Sequence, residues 1–154
     1  MMSSEINDKE FSLSNLTTYQ VGAMEAAAHR ALRTHKDGCL QKHGLSGMQW
    51  YIIGSVLDTG DQGSRITDLA KQLDTTLAFL TNTVNLLESK DMLVRSANGS
   101  DSRSRIIKVS PKFVPVCHQI EAELRKELRS SIYSKVTPEE LRTYIKVMAK
   151  FTEL

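Results

Sequence analysis

Apolar residues along the chain fall into six stretches at helical spacing, with one short strand-like region between the fourth and the fifth. The first helix is predicted from Ser14, where Leu16, Tyr19, Met24, Ala27, Ala28, Ala31 and Leu32 recur at roughly helical intervals and Gly38 and Gly44 bracket its end. A second begins at Leu45-Ser46 with Ser46 as N-cap, and Met48, Trp50, Ile52, Ile53, Val56 and Leu57 are its apolar positions. The turn-rich break DTGDQGS (58–64) separates it from a short third helix, RITDLAKQL, with Ile66, Leu69, Ala70 and Leu73 facing inward. Thr76 then caps a fourth, LAFLTNTVNLLESK, whose buried seam is Leu80, Val84 and Leu87, widened by Phe79 and Leu86. Its opposite face presents Leu77, Ala78, Thr81, Asn82, Asn85 and Ser89.

The strand-like region reads as a hairpin: MLVRSA, the turn signal Asn98-Gly99, then a descending arm containing Arg103, Arg105, Ile106, Ile107, Lys108 and Val109. Ser110-Pro111 suggests a cap followed by a first-turn proline, although Pro115 places the start of the regular helix there, running on to about Tyr133. Thr137-Pro138-Glu139-Glu140 opens the last helix with a capping box, and Leu141, Tyr144, Ile145, Met148 and Phe151 line one side of it. Two short helices joined by a tight turn and followed by a basic hairpin make a winged helix-turn-helix. The fold expected is therefore mainly α with a small β-hairpin wing. The second helix of such a pair fits a major groove, and an extended arginine of the hairpin can enter the minor groove. Arg103 and Arg105 are placed for that contact. The competing reading of the hairpin, charges that only keep an edge strand soluble, weakens once the helix pair stands directly upstream.

The segments quoted resemble the MarR family of transcription regulators. Leu45, Ser46 and Gln49 are similar to the family's second-helix motif. Asp68-Leu69-Ala70 is similar to its Glu-Leu-Ala helix. Leu87, Glu88, Asp91, Met92-Leu93-Val94 and Arg95 are similar to the segment that closes the recognition helix, and Asp101, Arg103, Ser104 and Ser110 to the wing signature. The resemblance spans about 45–110, in order. It implies a winged helix-turn-helix over 45–110, a helical dimerisation region built from 14–44 and 111–154, and a homodimer acting on a pseudo-palindromic operator, usually as a repressor. The wide apolar faces of the outer helices agree with that, because something must fix the spacing between half-sites.

Under this reading the recognition residues are Thr76, Leu77, Ala78, Thr81, Asn82 and Asn85, and those of the wing are Asp101, Arg103 and Arg105. By the resemblance, Asp101 orients a wing arginine by ion pairing. The chain departs from the family at Ser102, which stands where the first wing arginine is usual, and at Asp91, which replaces a turn glycine and calls for a left-handed residue that aspartate tolerates. The outward face of the recognition helix has no Lys or Arg before Lys90. Asn82 and Asn85 can read adenine edges, and Leu77 or Ala78 can pack on a thymine methyl, which points to an A·T-leaning site with modest affinity and shallow salt dependence.

Charge and composition sharpen this picture in few places. The chain has 154 residues, room for one domain or two tightly joined subdomains, and 40% hydrophobic and 25% charged residues are ordinary for a soluble protein. Net charge is only +2, yet residues 64–112 hold eight basic and five acidic side chains, a local +3 that contains all the excess. No apolar run approaches the roughly 18 residues of a membrane span, and the polar first 15 residues are no signal peptide. Cys39 and Cys117 make no disulfide framework, so a cytoplasmic protein is expected.

No nucleophile–base set, glycine-rich phosphate loop or working carboxylate pair is present, so neither an enzyme nor a cofactor is expected. His35, Cys39 and His43 are spaced four apart, but the glycines at 38 and 44 spoil the geometry for a metal. Cys39 as a redox switch would need a stabilised thiolate, and nothing in its neighbourhood beyond Lys36 and Lys42 supplies one. A pocket for a small aromatic ligand is the better candidate for sensing, lined by Tyr19, His29, Arg30, Trp50 and Tyr51. The expected partners are double-stranded DNA, a second copy of the chain and such a ligand, with no membrane. The alternative is a winged-helix protein-interaction module that has lost DNA binding, for which the basic wing would be superfluous.

Overall fold

The computed structural model describes residues 15–98 and 101–152, with the side chains of 97–98 and 101–104 outside that description. Six helices and one hairpin follow in the expected order: α1 (Thr18–Gln41), α2 (Gly47–Leu57), α3 (Ile66–Gln72), α4 (Leu77–Ser89), β1 (Leu93–Asn98), β2 (Asp101–Val109), α5 (Val114–Ser130) and α6 (Pro138–Thr152). Short 3-10 turns lie at Gly60–Gln62 and Tyr133–Lys135.

Local chemistry sets most of the boundaries. α1 starts later than Ser14, because Thr17 and Gln20 form a capping box: Thr17 Oγ1 accepts from Gln20 N and Gln20 Oε1 accepts from Thr17 N at 2.9 Å. It also ends later than the glycine at 38 implies. Gly38 lies inside the helix, and the chain turns at Gly44 with φ +67°. Ser46 and Gln49 form the same box at the start of α2, and Thr76 caps α4 by accepting from Phe79 N at 3.2 Å. Asp74 and Asp91 hold the left-handed positions after α3 and α4, with φ +48° and +58°, which a β-branched residue would resist. α5 begins at Val114, next to Pro115 in its first turn, and ends at Ser130. Ser110 is a buried turn residue rather than its cap, and Tyr133 belongs to the following 3-10 turn.

A single apolar cluster holds the winged helix together. Ile52, Ile53 and Val56 of α2, Leu69 of α3, Leu80, Val84 and Leu87 of α4, and Leu93 and Ile107 of the hairpin are buried in it. Cys39 and Leu40 at the end of α1 and Cys117, Ile120 and Leu124 of α5 join the same cluster. Phe79 and Leu86 do not widen the α4 seam as expected. Each is 44% exposed, because Thr83 takes the flanking inward position and satisfies its hydroxyl on Phe79 O at 2.9 Å. The wing pairs antiparallel, Leu93 opposite Val109 and Ala97 opposite Arg105, with a register irregularity between Ala97 and Asn98. Ser64 adds a third short rung: its N–H donates to Ile107 O at 2.9 Å and its O accepts from Ile107 N at 2.8 Å.

The outer helices contrast with this core. α1 buries only Cys39 and Leu40, and α6 buries nothing; Tyr144, Ile145, Met148 and Phe151 stay open to solvent. No helix among the described residues is long and apolar enough to cross a membrane.

Candidate nucleic-acid interface

α4 presents its outward face because its inward face is fixed. With Leu80, Val84 and Leu87 sequestered, helical geometry turns Ala78, Asn82, Asn85 and Ser89 away from the core, and all four are exposed. Leu77 is half exposed, an apolar surface of the kind that packs on a thymine methyl. Thr76 is occupied as the N-cap, and Thr81 donates its hydroxyl to Leu77 O at 2.8 Å, so it meets an outside partner only as an acceptor. Asn82 forms the free amide of this face; Asn85 does not, because its Oδ1 accepts a hydrogen bond from Arg95 Nη2.

Arg95 was the residue missed by reading the helix alone. It rises from β1 and also lies 3.0 Å from Glu88 Oε2 through its Nε, an ion-pair contact rather than an aligned hydrogen bond. The signal was available in the spacing of Glu88 and Arg95 across the helix–strand junction. Lys90 turns back to cap the other end of the lobe, donating to Gly44 O at 3.2 Å. On the wing, Arg105 is exposed two residues beyond the buried Ile107, on the part of β2 that projects past the core. The side chains of Asp101 and Arg103, named with it from sequence, lie outside the described residues, as does Gly99 of the expected turn.

The five residues expected around an aromatic ligand are only partly brought together. A crevice of about 500 Å³ between α1 and α2 is lined by His29, Arg33, Lys36, Leu45, Met48 and Tyr51, among others. His29 and Tyr51 are in it; Tyr19, Arg30 and Trp50 are not. Tyr19 sits ten residues before His29, roughly 15 Å along the helix, and is 74% exposed. Arg30 follows His29 by one residue and so leaves the helix about 100° away. Trp50 packs against the core instead. Lys36 Nζ donates to Tyr51 Oη at 2.6 Å, closing one wall of the crevice.

The histidines and cysteines near the end of α1 have other partners. His35 Nδ1 lies 3.1 Å from Glu127 Oε1 and His43 Nε2 lies 2.7 Å from Glu123 Oε2, two contacts that join α1 to α5. Hydrogen bonds from His43 and Gln119 hold the Glu123 carboxyl below the usual carboxylate range. No group of three or more metal-binding side chains occurs among the described residues. Both cysteines are free and buried. Burial pushes the Cys117 thiol up to about 11, and burial with the nearby Glu123 raises Cys39 as well. A reactive thiolate needs the reverse environment.

Residues 43–104 match the MarR family model. Over that stretch, which contains most of the winged helix, the chain is similar to the MarR family. Solved structures with the same fold include the S. aureus MepR–DNA complex, with a TM-score of 0.71 at 18% identity over 90% of this chain and 98% of that one. A mutant MarR from E. coli complexed with operator DNA gives 0.75 at 19% identity over 85% and 92%. AbsC, a MarR family transcriptional regulator from Streptomyces coelicolor, gives 0.73 at 19% over 90% and 95%. At such identities the likeness establishes the winged-helix fold of the chain and the presence in it of the flanking helices, α1, α5 and α6.

Proposed function

We propose that this chain is a MarR-family, sequence-specific, double-stranded-DNA-binding transcription regulator, acting as a homodimer and a repressor. The observation that carries the reading is the geometry of α4: a helix anchored on one side by a fully buried seam and offering Ala78, Asn82 and Leu77 on the other, beside a hairpin with an exposed Arg105. Dimerisation through the region 14–44 and 111–154 is supported by α1 and α6, much of whose apolar surface the single chain leaves uncovered. The recognition residues are then Leu77, Ala78, Thr81 and Asn82, with Thr76 and Asn85 in supporting parts, and Asp101, Arg103 and Arg105 on the wing. For the ligand, the α1–α2 crevice combines an aromatic wall, Tyr51, with His29, Lys36 and the Arg33–Asp37 ion pair at 3.2 Å, a lining that offers the Lys36 cation to a small aromatic acid, which would bias α2 against α1.

The test is fluorescence anisotropy on duplex DNA from directly upstream of the chain's own gene, compared with scrambled duplex across salt concentrations. Tighter, salt-sensitive binding is expected, with Arg105→Ala lowering the slope of log K against log salt by about one. Equal weak binding to both duplexes, followed by a random-duplex selection that enriches nothing, would leave the winged helix as a protein-interaction module.

A further inference from the structure

We infer that Arg95 determines specificity: by holding the amide oxygen of Asn85, it fixes that amide with its NH₂ as the end offered to a base, so that Asn85 acts as a donor instead of a two-ended adenine reader. The inference rests on the reading of α4 as the DNA-reading helix.

The chemistry follows from the donor inventory. An asparagine recognises adenine by using both ends of its amide, donating Nδ2–H to N7 and accepting from N6–H at Oδ1. A guanidinium has five N–H donors and no acceptor, so the Asn85 atom facing Arg95 Nη2 is its oxygen. The oxygen keeps a second lone pair, but Arg95 sets its direction, and on this inference the NH₂ group is the end that meets a base. Such a group meets a matching surface on guanine, whose N7 and O6 are adjacent acceptors, or on thymine O4. Against adenine its single acceptor, N7, stands beside an N6 amine that finds no acceptor on the protein.

Arg95 is held where it is by more than Asn85. Its side chain is 21% exposed and that of Glu88, its ion-pair partner, 26%, so the pair is partly removed from water and screened less than a surface pair. Its backbone sits in the middle of the β1–β2 ladder, opposite the buried Ile107. Releasing the Asn85 oxygen for a base would therefore leave a guanidinium donor unmatched beside the helix. This inference differs from the expectation from sequence that Asn85 reads an adenine edge.

The experiment is a random-duplex selection with the full-length wild type, Asn85→Ala and Arg95→Met, each first checked for cooperative thermal unfolding. Asn85→Ala locates the base position, the one whose preference it flattens. The expected result is guanine or thymine over adenine at that position in the wild type. In Arg95→Met adenine should gain about fivefold or more there, the lower end of what a bidentate contact discriminates. Adenine at that position in the wild type overturns the inference, as does a folded Arg95→Met with an unchanged site or an Asn85→Ala that flattens nothing. Should Arg95→Met not fold, the wild-type and Asn85→Ala logos decide alone. Failure of every variant to enrich any duplex overturns the proposed function, and this inference falls with it; enrichment with the wrong base overturns the inference only.

Discussion

Gly63 is the position where a single methyl group should do the most damage for its size. It ends the 3-10 turn after α2 with φ +70° and ψ −179°, a conformation accessible almost only to glycine. A β-carbon there would stand 2.1 Å from Ile106 Cγ2 and 2.8 Å from the Ile107 carbonyl oxygen. The side chain of Ile106 can rotate, but the Ile107 carbonyl cannot retreat, because it accepts from Ser64 N at 2.9 Å. Gly63→Ala therefore meets two costs, backbone strain of about 1–3 kcal/mol and overpacking of roughly 1–3 kcal/mol. A total near 4 kcal/mol corresponds to a fall in Tm of about 8–16 °C for a chain of this size. The Ser64–Ile107 rung is the tie between wing and body, so the loss should also appear as faster amide exchange at Ile107. Equilibrium urea unfolding at fixed protein concentration, with exchange followed by mass spectrometry or NMR, measures both. A destabilisation under about 1 kcal/mol, smaller than either cost is expected to be on average, would show that the turn relaxes freely and that the wing is not held through this rung.

Gly38→Ala should act in the opposite direction: it lies in mid-helix with nothing within 4 Å of an added β-carbon, so a gain of about 0.5–1 kcal/mol in the same unfolding assay is expected. Glu123 gives a pH prediction. Its folded value lies below the ordinary 4.5, so the folded state holds fewer protons than the unfolded one in that window; the stabilisation is complete above the ordinary value and is lost as pH falls through the folded one. Glu123→Gln should accordingly flatten the decline in urea midpoint between about pH 5 and 3 relative to wild type, and parallel curves would refute the assignment. Ile145→Glu, which places a charge on the half-exposed apolar side of α6, should convert a dimer to monomers in sedimentation equilibrium without abolishing the helical circular dichroism, and an unchanged mass would remove α6 from the proposed interface.

What sequence pattern conveyed, and where it failed, follows from the range of the interactions involved. Caps and turns act over three or four residues, so Ser46, Thr76, Asp91 and the Thr137–Glu140 box, in which Glu140 Oε2 accepts from Thr137 N at 2.7 Å, stand where the local code placed them. Gly38 misled because a glycine inside a helix costs only about 1 kcal/mol, an amount that packing of Cys39 and Leu40 into the core readily offsets. The α4 seam was legible in its centre and not at its edges. Phe79 and Leu86 are as apolar as Leu80, and only the three-dimensional packing of Thr83 decides which flank is covered. For the same reason the α1–α2 crevice gathers only His29 and Tyr51 of the five residues expected to lie together. Periodicity places residues on a helix, but whether His29 or Arg30 meets Tyr51 depends on how α1 is rotated against α2, which no local pattern encodes.

The case of Asn85 goes a step further, because sequence places it on the outward face of α4 and the fold adds a partner for its amide. An outward amide on a recognition helix has two faces, and a list of exposed side chains cannot say which of them is free. That is decided by a residue ten positions later on another element, whose ion pair with Glu88 exists only once the α4–β1 junction is folded. Two winged helices could thus present identical α4 residues and read different bases, if one has a donor at the position of Arg95 and the other does not. If α4 reads DNA as proposed, its recognition surface is α4 together with the first strand of the wing. On that definition, the low positive charge of the helix is offset by a cation that acts through an amide instead of on the DNA.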